Sequence, residues 1–218
     1  MTLSTALWSN LSKLSSALSS TTSPADPPEQ RDAVRHCTIS RRSLGVVELA
    51  LPATALLDDV VARWAKARAV AVEVRDGADL TVAVGAGIDP MRMTAHTGGL
   101  SADEAMFCMA NLGVGRIVVT GADQVDLLAA VGRAGQRVLV ALPQAGLTTR
   151  VLDCATLDLV GLYGEIDSCA DNFARYAVVV GDLLAEMAQI RRAHATVLTR
   201  IALGGFTPTF GAGPGDLS

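Results

Sequence analysis

Apolar, β-branched runs alternate along this chain with segments whose apolar residues fall at helical spacing. The runs predict buried strands over 46–51, 70–74, 92–96, 116–120, 137–142, 158–163 and 197–203. The intervening segments predict helices over 55–67, 78–86, 101–112, 122–134 and 170–194. Near-continuous apolar strands, rather than alternating ones, are the signature of a sheet covered on both faces, which here means a parallel sheet with helices outside it.

Local signals mark the helix ends. Ser101 with Glu104 three residues on forms an S-x-x-E capping box, and Thr54 stands at a second N-cap position. Gly87, Gly113 and Gly135 fall at or just past helix ends, where left-handed backbone is needed. Ala122-Asp123 opens a helix with its acid at the positive end of the dipole. The link between strands 137–142 and 158–163 is the exception. It holds Pro143, Gly146 and a short stretch around Arg150–Cys154, so one helix is lost or reduced there.

Seven strands with short connections fit a (β/α) barrel better than an open sheet, although the eighth strand of a complete barrel is not visible. No glycine-rich fingerprint follows the first strand, which argues against a dinucleotide-binding domain. Residues 1–30 form a Ser/Thr/Pro-rich flexible leader, in which Ala6, Leu11, Leu14 and Leu18 leave room for a weak amphipathic helix. The barrel domain is expected over 31–210, followed by a tail over 211–218.

Composition narrows the classes. The net charge of −4 and the absence of a basic block exclude an obvious nucleic-acid role. No apolar run reaches the ~18 residues of a membrane span, and Met1–Ser23 has no apolar h-region. The four cysteines, Cys37, Cys108, Cys154 and Cys169, form no C-x-x-C pair and have no histidine at metal-ligand spacing. They read as buried free thiols of a reducing, cytoplasmic compartment, with Cys169 set apart by its place after a strand end.

Five phrases then fall in one family order. The stretch from Ala71-Val72-Glu73-Val74-Arg75-Asp76-Gly77 to Val84-Gly85-Ala86-Gly87-Ile88-Asp89-Pro90 resembles "GFDVASGGEL…ALAAGVDPERI". Thr94-Ala95-His96-Thr97 with Ser101-Ala102-Asp103-Glu104 resembles "VFHGNNKSEAEL", and Leu112-Gly113-Val114-Gly115-Arg116-Ile117-Val118-Val119 resembles "LGVGRIVVDS". Leu159-Val160-Gly161-Leu162-Tyr163-Gly164-Glu165-Ile166-Asp167-Ser168 resembles "LVGLHSHIGSQ", and Ile201-Ala202-Leu203-Gly204-Gly205-Phe206 resembles "LDLGGGF". The chain is thereby similar to the pyridoxal-phosphate-dependent diaminopimelate/ornithine/arginine decarboxylases of the alanine-racemase-like barrel type, with the bacterial diaminopimelate decarboxylases nearest in look.

The resemblance implies an incomplete (β/α)8, TIM-like barrel of the pyridoxal-phosphate-binding type. No counterpart is seen to the family's first strand and helix, its "EPGR" segment or its C-terminal β domain with "CESGD". Pyridoxal phosphate is the family's cofactor. By family position, His96, Glu165, Ser168, Gly204 and Gly205 are the residues that would border it. The family's "YAVKAN" lysine, whose amine captures the cofactor aldehyde, falls on Leu49-Ala50-Leu51-Pro52-Ala53-Thr54, with Pro52 at the lysine. The sequence holds two lysines, Lys13 in the leader and Lys66 late in the next helix, about 18 Å further on at about 1.5 Å per residue. The two histidines of "HSHIGS" are Tyr163 and Glu165, and a carboxylate at 165 would repel a phosphate. The arginine of "RVNP" is missing from Val140-Ala141-Leu142-Pro143-Gln144.

Each residue also has a plainer reading. His96 fits a packed strand-end histidine as well as a site residue. Asp167 and Ser168 fit a helix N-cap, Glu165 either faces the barrel mouth or pairs with an arginine, and Arg191-Arg192 suit a helix C-terminus. Three functions follow. The chain is a decarboxylase-like barrel that has lost Schiff-base chemistry and binds at most an anionic metabolite. It is, alternatively, an active amino-acid carboxy-lyase or racemase completed by a partner chain, or a non-enzymatic subunit that self-associates through exposed barrel edges.

Overall fold

The computed structural model describes residues 31–32, 34–35, 38–39, 48–131, 134–144, 146–166 and 173–205. The leader, its weak helix, the 211–218 tail and the segment holding Asp167, Ser168 and Cys169 lie outside the described residues. Numbered from the first strand, the elements are β1 Ala50–Pro52, α1 Asp59–Ala67, β2 Ala71–Val74, α2 Gly77–Gly85, β3 Met93–His96, α3 Ala102–Met106, β4 Arg116–Val119, α4 Ala122–Val131, β5 Gln136–Ala141, α5 Leu147–Leu152, β6 Leu157–Glu165, α6 Phe173–His194 and β7 Arg200–Gly204. All seven strands form one parallel sheet in sequential order. This is the winding of a barrel wall, not of a doubly wound sheet.

The two faces of the sheet divide cleanly. Ile117, Val119, Val138 and Val140 face the helices and join the main core with Val72, Val74, Met93, Leu128 and Leu183. Their alternates Val118 and Leu139, with Tyr163, Ala141, Val160 and Ala202, form a second, smaller cluster on the concave face. The curl of the sheet is visible in contacts across it. Glu48, beside β1, accepts hydrogen bonds from Arg116 of β4 and Arg200 of β7, both at 2.7 Å.

Most predicted elements hold, with two corrections. The helix expected over 55–67 is split into a 3-10 turn, Ala53–Leu57, and α1. Thr54 lies inside that turn, and the N-cap is Asp58, whose carboxylate accepts from Val60 N at 2.8 Å and Val61 N at 3.3 Å. The first strand is limited to Ala50–Pro52 among the described residues and the last is shifted to Arg200–Gly204. The Ser101–Glu104 capping box forms as expected. Helix α3 then widens into a π turn, Phe107–Leu112, that ends on Gly113 at φ 68°. The reduced helix between β5 and β6 is α5, six residues long. Strand β6 carries one extra residue against β5, since Val138 pairs with Leu159 and Leu139 with Gly161. Gly161 is required there by proximity: a Cβ would lie 2.1 Å from the Arg200 carbonyl oxygen.

Candidate functional site

The C-terminal ends of the strands bring together residues that the sequence leaves far apart. His96 shares the concave face with Val118, its register partner in β4. Glu73 lies one row earlier, opposite Pro52 on one side and Thr94 on the other. Just past β2, Arg75 reaches across the sheet to β6. Its Nη1 donates to Glu165 Oε1 at 3.0 Å and its Nη2 to Tyr163 Oη at 3.1 Å. Beneath this brace a cavity of about 300 Å³ is lined by Arg75, His96, Gly98, Gly99, Thr120, Ala141, Leu142, Gln144, Tyr163 and Glu165.

The electrostatics of this mouth follow from burial. His96, whose side chain is 12 % exposed, has its pKa pushed down from 6.5 to about 4 by desolvation and then by the Arg75 cation. It is therefore neutral at pH 7, and the 3.8 Å approach of its Nε2 to Glu73 Oε2 is not an ion pair there. That Nε2 is buried without a hydrogen-bond partner, and the imidazole packs edge-on against the Tyr163 ring with centroids 4.9 Å apart. Burial raises the Glu73 pKa despite the nearby Arg75. It also raises that of Tyr163, reinforced by the Glu73 charge.

Of the residues that the family positions single out, the structure joins three. His96 and Glu165 both line the cavity, and Glu165 both faces the mouth and pairs with Arg75. Gly204, the last residue of β7, lies under the Tyr163 hydroxyl: a Cβ there would come within 1.6 Å of Tyr163 Oη. Gly205 follows at φ 88° and is outside the cavity lining, with a Cβ position only 1.9 Å from the Ile166 carbonyl oxygen. Ser168 is outside the described residues. Pro52 ends β1; Lys66 is exposed in the last turn of α1, and Lys13 lies outside the described residues. The pair Glu73 and Arg75 is absent from the sequence-based candidates. Their signal was a charged residue within the otherwise apolar run Ala71–Val74, on the face that a curled sheet turns inward.

These residues do not fit pyridoxal phosphate. The end of β1 offers no amine to its aldehyde. Tyr163 Oη packs against the face of Gly204 on which a Cβ would sit, so that side of the glycine is closed. One guanidinium faces two carboxylates, so the mouth opposes an added dianion. Among the described residues no group of three or more His, Cys, Asp or Glu could hold a metal ion, and no helix is long and apolar enough to cross a membrane.

No protein-family model matches the chain. Curated diaminopimelate decarboxylases of Mycobacterium tuberculosis and Mycobacterium bovis are 31 % identical to it over 144 residues, which is 66 % of this chain and 30 % of theirs. The chain thus spans under a third of the length of the curated relatives it matches. In structure it is similar to the lysine decarboxylase of Selenomonas ruminantium, with a TM-score of 0.69, 18 % identity, and coverage of 81 % of this chain and 50 % of that one. It is likewise similar to the diaminopimelate decarboxylase of M. jannaschii, with a TM-score of 0.64, 10 % identity, and coverage of 83 % and 48 %. Structures of such a lysine decarboxylase hold pyridoxal phosphate, alone or with cadaverine. In sequence the chain is thus similar over part of its length to diaminopimelate decarboxylases, and its fold is the curled, parallel barrel wall seen in the decarboxylase structures it resembles.

Proposed function

We propose that this chain keeps the decarboxylase barrel without its Schiff-base chemistry and is not itself an amino-acid decarboxylase. The reading is supported by the end of β1, where Pro52, aligned by the sequence phrases with the family's lysine, is paired with Glu73 of β2. A cofactor aldehyde needs a primary amine within bonding reach. The brace supports the same conclusion, because the Arg75 guanidinium at the mouth is already engaged by Glu165 and the Tyr163 hydroxyl. Binding of an anionic metabolite at this mouth is also disfavoured, since Arg75 already answers Glu165 and Glu73. A protein of this kind acts through contacts or through a ligand other than the family cofactor.

The test is direct. The purified chain is mixed with pyridoxal phosphate, scanned for the absorbance of an internal aldimine, reduced with borohydride and mapped by mass spectrometry. No saturable band is expected, and any reduced adduct should be substoichiometric and spread over Lys66, which is exposed, Lys13 and the terminal amine. A saturable aldimine band with stoichiometric reduction onto a single one of these amines, or release of CO₂ from meso-diaminopimelate or ornithine by the pure protein, would refute the reading and favour the active carboxy-lyase.

A further inference from the structure

The opposite end of the sheet carries the reverse charge. At the N-terminal ends of the strands, Glu48 receives Arg116 Nη1 and Arg200 Nη1 on one oxygen, each at 2.7 Å. Arg92 Nη1 lies 3.7 Å from its other oxygen. These three arginines come from the residue before β3 and the first residues of β4 and β7, so their guanidinium groups converge on the concave side from different directions. Among the described residues Glu48 is the carboxylate that meets these three cations, which leaves an excess of two positive charges there.

This is an unusual place for such an excess, since the N-terminal end of a barrel interior is ordinarily filled by branched apolar side chains. The Arg116 side chain is only 12 % exposed. Its Nε is committed to Thr94 Oγ1 at 3.0 Å, which holds the guanidinium in one orientation. A partly buried, oriented, under-compensated cation is costly unless a counter-anion completes the set. Arg92 and Arg200, at 44 % and 43 % exposed, leave the cluster open to solvent.

We propose that Arg92, Arg116 and Arg200 form a binding site for a small, doubly charged tetrahedral oxyanion, of the phosphate or phosphomonoester class. Its charge matches the excess of two. Guanidinium groups arriving from three strands suit an acceptor with oxygens in several directions better than a single planar carboxylate. The site lies at the other end of the strands from the mouth, so it stands whether or not the mouth binds a cofactor.

The full-length chain is titrated with inorganic phosphate and, separately, with glycerol phosphate by isothermal calorimetry at pH 7.5, with chloride used to hold ionic strength constant. Saturable binding of one equivalent is expected. Arg92→Gln and Arg200→Gln, both exposed and thus tolerant positions, should each weaken it at least tenfold. Arg150→Gln, at an exposed arginine paired with Asp126 elsewhere, should leave it unchanged. Binding of both compounds indicates a site open enough for an ester, and binding of phosphate alone an enclosed one; either supports the proposal. No saturable binding, or equal affinity in the wild type, Arg92→Gln and Arg200→Gln, would overturn it. An equal loss in Arg150→Gln would do so as well, by showing general electrostatic attraction.

Discussion

Replacing His96 with Gln should change how the protein responds to acid. In the folded chain the imidazole is buried beside Arg75 and has its pKa lowered from 6.5 to about 4. The unfolded chain takes up the proton first. The contribution of His96 to stability is therefore complete above pH 6.5 and is lost as pH falls towards 4. By linkage, the loss between pH 7 and pH 5 comes to about 2 kcal/mol. Glu73 acts in the opposite sense, because its raised pKa lets the folded state gain a proton early, so the wild-type acid limb is shallower than His96 alone would make it. The difference between wild type and His96→Gln removes that common term. Urea unfolding followed by circular dichroism at pH 7, 6 and 5 should show the wild type losing about 2 kcal/mol more than the variant over this range. Parallel pH profiles, or an NMR titration placing His96 near 6.5, would refute the reasoning.

Two further perturbations test the packing around the mouth. Gly204→Ala forces the Tyr163 hydroxyl out of its place over β7, at an expected cost of about 1–3 kcal/mol; the urea midpoint should fall, and by much less in a Tyr163→Ala background. Ser101→Ala removes the hydroxyl half of the capping box on α3 and should cost about 1 kcal/mol, read as a shift in midpoint with an unchanged slope.

The order and type of the elements were legible because each strand is an apolar run and each helix has its own stop. Gly87, Gly113 and Gly135 all adopt the positive φ that their positions imply. The boundaries slipped where a side chain far from the hydrophobic pattern decides them. Asp58 breaks the 55–67 helix by capturing two N–H groups, a local event that periodicity does not register. The site was less legible. His96, Glu165 and Gly204 were reached through family phrases, but Arg75 acts through partners 88 and 90 residues away in β6, and Glu73 through Arg75 and His96. The link from Glu48 to Arg200 spans 152 residues. Contacts of that length exist only once the sheet has curled, and no local spacing encodes them.

The two groups that reach across the concave face also have a mechanical meaning. Glu48 ties the approach to the first strand to the last strand at one end, and Arg75 ties the second strand to the sixth at the other. The sheet behaves as an arc held by two chords. Because both chords are ionic and partly open to water, their tension is set by dissolved salt. Added electrolyte should therefore loosen these two ties before it touches the backbone ladder between neighbouring strands.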